Sequence, residues 1–287
     1  MLNINLRRWS ILIIAILMIA VLAACDSAAE EPTPAEETTT EEEATTEEEA
    51  TEEEATEEEA MEEEEEMVEG SIWVLLPDSA SSDRWETDDR RFFEGAFEAA
   101  GVEYNIVNAE GDARTQQTQA EQAITAGAGV ILLVNLDSGS AAAIIAQARD
   151  AGVAVVDYDR LTVEGPGADV YVSFDNVQVG ATMGEVLEPL ISAQDGTPEV
   201  VLLNGGPTDN NSTLFREGYF GYAEPHFNDG SWNLVDDQWV PDWDNQQALV
   251  IFEQILTAAE GNITGVFAAN DGLANAVISA LQSPGID

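Results

Sequence analysis

Asp78, Asp137, Asp159, Arg160, Trp239, Asn270 and Asp271 each stand just after a short apolar run, and they carry side chains that could do chemistry. Carboxylate, amide and guanidinium groups each exchange several hydrogen bonds, and an indole offers a flat apolar face. That set suits a molecule with a ring of hydroxyls and apolar C–H faces, as a pyranose has, more than it suits a reacting centre. Neither a GxSxG nucleophile elbow nor a phosphate-cradling GxxxxGKS or GxxxxGKT loop occurs in the sequence. His226 is the one histidine and Cys25 the one cysteine. This excludes a multi-cysteine zinc site and a disulfide framework, and it makes a His-based metal cluster or a His-dependent triad a poor expectation. Two carboxylates at glycosidase spacing among the 34 acids from residue 70 onward are the remaining catalytic alternative. Binding without catalysis, cofactor or metal is the expectation.

The charge balance narrows the ligand. Nine arginines and no lysine face 57 acids, a formal charge of −48. A protein that grips a nucleic-acid backbone carries basic stripes, so no nucleic-acid partner is expected. The part from residue 70 onward keeps seven arginines against its 34 acids, which favours neutral or cationic molecules.

The elements that must position these groups alternate in type. Strand-like runs fall at 71–76, 102–107, 130–134, 153–156, 170–174, 200–203, 232–238 and 265–268, separated by helical stretches rich in Ala, Gln and Glu. Arg91 to Ala100, for example, carries an apolar helical stripe that Gly101 stops. Near-continuous apolar strands spaced by helices predict parallel sheets covered on both faces, with ligands beyond the carboxyl ends of the strands. The stretch 161–169, with Gly165-Pro166-Gly167, has no helical period and interrupts the alternation. It is read as a crossover and hinge between a first α/β lobe over 70–160 and a second over 170–287. His226, following Pro225, is read as a loop residue near a helix end.

Residues 1–69 read as an address and a tether. Arg7 and Arg8 precede the twelve-residue apolar run Ile11 to Leu22, too short for a spanning helix and suited to an export signal over 1–24. The run ends in Leu22-Ala23-Ala24-Cys25, which resembles the lipobox of bacterial lipoproteins and implies membrane attachment through a lipidated Cys25. Residues 25–69 follow as an anchored tether. Twenty-two Glu between residues 30 and 69 repel at helical spacing, so a solvated, extended, disordered spacer is expected there.

Six strings appear in order: Ser82-Asp83-Arg84-Trp85; Val156 to Arg160; Val172-Ser173-Phe174-Asp175-Asn176; Gly205 to Asn211 with Leu214-Phe215-Arg216-Glu217-Gly218; Asp237-Gln238-Trp239-Val240; and Ala269-Asn270-Asp271-Gly272. Together they resemble the type I periplasmic sugar-binding proteins of ABC importers, closest to the D-xylose-binding branch, over about residues 70–287. The resemblance implies two doubly wound parallel-sheet lobes, a monosaccharide ligand, an ABC permease as partner, an extracytoplasmic location and a monomer. It also implies roles. Asp159 and Arg160 match the hydroxyl-binding Asp-Arg pair, Arg216 a second-lobe arginine that reaches the ring, Trp239 the aromatic plate and Asn270 the strand-end asparagine. Arg84 and Trp85 correspond to the first-lobe loop that closes over the sugar. Asn210-Asn211 fits a helix cap as well as a contact, and Asn270-Asp271 fits a cap too. Trp239 packed into core beside Trp243, and Asp159-Arg160 as a surface ion pair, are the structural alternatives.

Proteins of the resembled family continue well past the strand-end asparagine, whereas this sequence stops at Asp287, midway through a βαβ unit. The expectation is a C-terminal truncation that leaves both lobes incomplete, with the function belonging to the longer parent. A sugar sensor that docks on a membrane receptor for chemotaxis or two-component signalling would use the same lobes. A repressor effector domain would share the architecture, but the export signal and the lack of a basic helix-turn-helix segment argue against it.

Overall fold

The computed structural model describes residues 70–282, so Cys25, the export signal and the acidic tether lie outside the described residues. Among the described residues, eight strands form two parallel sheets. The first holds β1 (Ser71–Leu76), β2 (Tyr104–Asn108), β3 (Ala128–Leu133), β4 (Ala154–Tyr158) and β5 (Val170–Val172) in the order β2-β1-β3-β4-β5. The second holds β6 (Glu199–Asn204), β7 (Asn233–Trp239) and β8 (Gly265–Ala268) in the order β7-β6-β8.

Helices connect them: α1 (Arg90–Ala100), α2 (Ala113–Thr125), α3 (Ala142–Asp150), α4 (Asn176–Ser192), α5 (Asn210–Asp229), α6 (Asn245–Ala258) and α7 (Asp271–Leu281). Acidic and amide side chains serve their first turns. Asp112, Asp175, Asp209 and Asp244 cap α2, α4, α5 and α6, and Asn270 caps α7, each accepting from a backbone N–H that the helix itself cannot satisfy.

Burial follows the sequence pattern. Central strands β3 and β6 are covered on both faces, whereas the edge strand β5 is exposed throughout. Leu75, Ile131, Leu133 and Val155 build the core of the first sheet with Ile144 and Ile145 of α3. Val200 to Leu203 build the second with Tyr219, Phe252 and Phe267. Helices α4 and α5 touch backbone to backbone, because a Cβ on Gly180 would meet the Phe215 carbonyl oxygen at 2.1 Å and one on Gly218 the Val177 carbonyl oxygen at 2.2 Å. This contact fixes the height of α5, which carries part of the cleft.

Two expectations need correcting. Strand 170–172, assigned to the second lobe, pairs with β4 and closes the first sheet. Its register is held just upstream, where Asp169 donates its N–H to the Val155 carbonyl, accepts from Val155 N and pairs with Arg149 at 2.9 Å. The stretch 161–169 therefore returns the chain to the same sheet, and the passage between lobes falls at 173–175, before α4. His226, read as a loop residue, lies in the last turn of α5, with Pro225 inside the helix. Tertiary packing outweighs the local preference of proline here. The His226 ring stacks on Trp232 with centroids 4.2 Å apart, and its Nε2 sits 2.9 Å from Glu188 of α4.

Candidate functional site

In both sheets the chain steps from the first strand to a neighbour on one side and later to one on the other, creating switch points at β1/β3 and β6/β8. Loops leaving such points splay apart and open a crevice. Here the loops after β1, β4, β6, β7 and β8 converge on a cavity of about 150 Å³. Its lining includes Arg84, Trp85, Asp159, Arg160, Phe174, Asp209, Asn211, Phe215, Trp243 and Asn270.

The first lobe supplies a charged floor. Arg84 Nη2 donates to Asp159 Oδ2 at 2.5 Å, and Arg84 Nε lies 3.0 Å from Asp89. The guanidinium of Arg84 sits 4.1 Å above the Trp85 ring and that of Arg160 5.7 Å from it, so one buried indole backs both cations. Trp85 is fixed in turn by its Nε1, which donates to Ser81 Oγ at 3.1 Å. Asp159 takes a left-handed backbone, φ 67°, a conformation aspartate adopts more readily than most residues. Burial pushes its carboxyl above the usual carboxylate range despite the flanking Arg84 and Arg160. Burial also raises the Tyr158 hydroxyl, to about 12, with Asp89 adding to the effect. Asp159 and Arg160 are 8% and 5% exposed, which rules out a surface ion pair.

The second lobe supplies plates and a clasp. Arg160 Nε lies 3.0 Å from Asp209 Oδ2, and Arg160 Nη1 donates to the Asn135 carbonyl at 3.1 Å. Asn211 Nδ2 donates to Asp159 Oδ1 at 3.0 Å and to its carbonyl at 3.1 Å, while Asn211 Oδ1 is a buried acceptor without a protein partner. Such an acceptor in a cavity wall suits a ligand hydroxyl, because leaving it unpaired is unfavourable. Phe174 stacks on Phe215 at 6.1 Å, and Phe215 meets the Trp243 ring edge-on at 6.3 Å. Behind the cavity, Ser138 N donates to the Thr208 carbonyl at 2.9 Å and Asn210 N donates to Ser138 Oγ at 3.1 Å, joining the lobes along a polar seam.

Arg84, Trp85, Asp159, Arg160 and Asn270 come together at the cavity. Asn270 also accepts from Leu273 N at 2.8 Å, so cap and lining coexist in one side chain. Asn210, Arg216 and Trp239 do not line it, and their neighbours Asn211, Phe215 and Trp243 do. On α5 one residue is a rotation of about 100°. Asn211 and Phe215 share the cleft face, and Arg216 turns away to pair with Asp237 at 2.5 Å and cover Phe220 at 4.3 Å. Trp239 ends the edge strand β7 opposite Asn204. Trp243 reaches the cavity because Asp242 and Trp243 both adopt φ 56°, reversing the chain beneath β6. The space for its ring comes from Gly205, where a Cβ would meet Trp243 at 2.1 Å. Of the other strand-end acids, Asp78 and Asp137 accept from backbone N–H groups of their own loops. Asp271 faces a larger adjoining groove of about 540 Å³ that has no aromatic wall.

Two α/β lobes with a small polar and aromatic cavity at the strand ends define a binding protein of the two-lobed, type I periplasmic class. Residues 73–287 match the model of the periplasmic binding protein domain, and the chain belongs to that family. It is similar to the D-xylose-binding periplasmic protein of Escherichia coli strain K12, 32% identical over 209 residues, covering 73% of this chain and 62% of that one. The D-xylose-binding periplasmic protein of Haemophilus influenzae is 34% identical over 212 residues, covering 74% of this chain and 62% of the relative. The chain thus spans about 62% of the length of these curated relatives. Among solved structures, an ABC transporter solute-binding protein from Clostridium phytofermentans with bound β-D-glucose superposes with a TM-score of 0.67 at 26% identity, covering 73% of this chain and 68% of that one. A carbohydrate transporter solute-binding protein from Chloroflexus aurantiacus in complex with D-glucose gives 0.66 at 29% identity, covering 75% and 69%. These relatives are solute-binding proteins, not enzymes.

Proposed function

We infer that the protein captures a neutral monosaccharide between its lobes, D-xylose ahead of glucose and other aldoses, and delivers it to an ABC permease from an exported, lipid-anchored position. The observation that carries this reading is the lining of one small cavity by Trp85, Phe174, Phe215 and Trp243 together with Asp159, Arg160, Asn211 and Asn270. Aromatic faces suit the apolar C–H side of a pyranose, and the polar set suits its hydroxyls. At about 150 Å³ the cavity is well below the span of roughly 300–1,000 Å³ typical of drug-sized pockets, which favours a single sugar ring over an oligosaccharide. The names of the two D-xylose-binding relatives support the sugar, and Cys25 behind its apolar run supports the anchor. A thermal melt of the full-length protein tests the reading. The midpoint is expected to rise with xylose and not with a sugar phosphate at equal concentration, and a shift with the phosphate alone would overturn it.

A further inference from the structure

We propose that Asp209 is a positioning residue, a single buried carboxylate that sets both the tilt of the Trp243 plate and the aim of the Arg160 fork. This rests on the reading of the cavity as a sugar site, and it gives Asp209, itself in the cavity wall, a role through the two side chains it holds rather than through the sugar. Two segments far apart in sequence, and the first turn of its own helix, end on this one group. Asp209 Oδ2 lies 3.0 Å from Arg160 Nε, which follows β4 in the first lobe. The same oxygen accepts from Trp243 Nε1 at 3.0 Å, from the turn after β7. Oδ1 accepts from Asn211 N at 2.9 Å in the first turn of α5.

The Asp209 side chain is 5% exposed, so water does not compete for these bonds. A carboxylate has about four lone-pair directions; two accept hydrogen bonds from Asn211 N and Trp243 Nε1, and Arg160 Nε stands against Oδ2 as an ion pair. Asp209 is therefore largely engaged by the protein, and it acts through its partners.

What it does to them follows from their own geometry. Trp243 has one polar atom, and tying that atom down removes the swing of the ring about its remaining contacts. Arg160 has its Nε held by Asp209 and one Nη1 donor held by the Asn135 carbonyl. The other N–H groups then share one plane with a fixed direction. A ring that stacks on the plate and meets the fork does so only at the angle this carboxylate sets. Because Arg160 comes from the first lobe and Trp243 from the second, that angle exists only when the lobes are together.

The experiment compares Asp209→Ala and Asp209→Asn with Asp112→Ala in the full-length protein. Asp112 caps α2 by accepting from Thr115 N, so its loss controls for the loss of a helix cap. Asp209→Asn keeps an oxygen for Asn211 N and removes the charge, which keeps the comparison valid if the alanine variant fails to fold. Without sugar, the near-ultraviolet circular dichroism of both Asp209 variants is expected to lose the same indole band that Trp243→Phe loses, with Asp112→Ala unchanged. With xylose, both Asp209 variants are expected to bind on the order of tenfold to a hundredfold more weakly. In a Trp243→Phe, Arg160→Met background that loss is expected to shrink to within threefold, roughly what independent error allows. Unaltered dichroism, or an undiminished loss in the double background, would overturn the proposal, the second result making Asp209 a direct ligand contact. If no sugar binds even the unsubstituted protein, the proposed function fails and the dichroism comparison alone decides the placement of Asp209.

Discussion

Arg160 and Asp209 meet at 3.0 Å across the two lobes, with side chains 6% and 5% exposed. A buried pair of this kind adds little net stability when intact, because desolvation offsets the attraction, but breaking it strands a charge. Arg160→Ala is therefore expected to destabilise the fold by about 3–5 kcal/mol. Urea unfolding measures this directly. A loss below about 1 kcal/mol, the range of an exposed pair, would show that water reaches the cleft floor.

Arg216→Ala should behave oppositely, although the sequence resemblance gave both arginines the same role. Arg216 and Asp237 are each 26% exposed, and the pair supports the edge of the second sheet. The expected change is at most about 1 kcal/mol in stability, with sugar affinity unaltered. A large drop in affinity without unfolding would return Arg216 to the site.

Trp243→Ala and Trp239→Ala form a second contrast. Trp243 stands in the cavity wall, and its loss should weaken sugar binding by more than about 1 kcal/mol, the scale of an aromatic contact beyond simple burial. Trp239 should change affinity little. Calorimetric titration of the two variants separates them, and equal losses would contradict the assignment of the plate.

Gly180→Ala tests the α4–α5 contact that sets the height of α5. A methyl group there meets the Phe215 carbonyl oxygen, so the helices must part. Overpacking of this kind costs about 1–3 kcal/mol. Phe215 also lines the cavity, so sugar affinity should fall along with the melting temperature. A variant as stable as the parent would mean that the helices yield without strain.

Asp157 provides a pH test. It is fully buried, and burial raises its carboxyl above the ordinary value of 3.8, while bonds from Thr162 N at 2.7 Å and Thr162 Oγ1 at 3.0 Å oppose the shift. A raised folded value means the folded chain holds the proton more tightly than the unfolded chain. Its stabilising contribution is therefore full below 3.8 and is lost as pH rises through the folded value. Relative to Asp157→Asn, the parent should lose stability over that window and run parallel above it. A difference that grows in the opposite direction would reverse the sign of the shift.

Most of the architecture was legible from the alternation of apolar runs and helical stretches, because central parallel strands such as β3 and β6 must be apolar on both faces. The edge strand β5 was misplaced for the same reason. Val170-Tyr171-Val172 looks alike in either sheet, and it is the bonds of Asp169 to Val155 and of Asp159 N to the Val172 carbonyl that join it to β4. In the site, residues on rigid strand ends, Asp159, Arg160 and Asn270, could be read from their position. Asn211 could be read only jointly with Asn210, as cap or contact, and Phe215 and Trp243 could not, since each lies one or a few residues from a chemically similar or more polar neighbour. The helix phase and the reversed backbone at Asp242 and Trp243 choose between them. A usable signal was present in Gly205-Gly206, where absent side chains leave room for an aromatic ring.

The central claim is that the cavity holds one monosaccharide, and isothermal titration of the full-length protein with xylose, glucose, ribose and arabinose tests it most directly. Xylose is expected to bind tightest with a stoichiometry near one; glucose should bind more weakly because its extra hydroxymethyl group crowds a cavity of about 150 Å³, and ribose and arabinose because stereoisomers leave a buried polar group unpaired. Ribose or arabinose binding tenfold tighter than xylose, or heats no different from buffer for all four sugars, would contradict it.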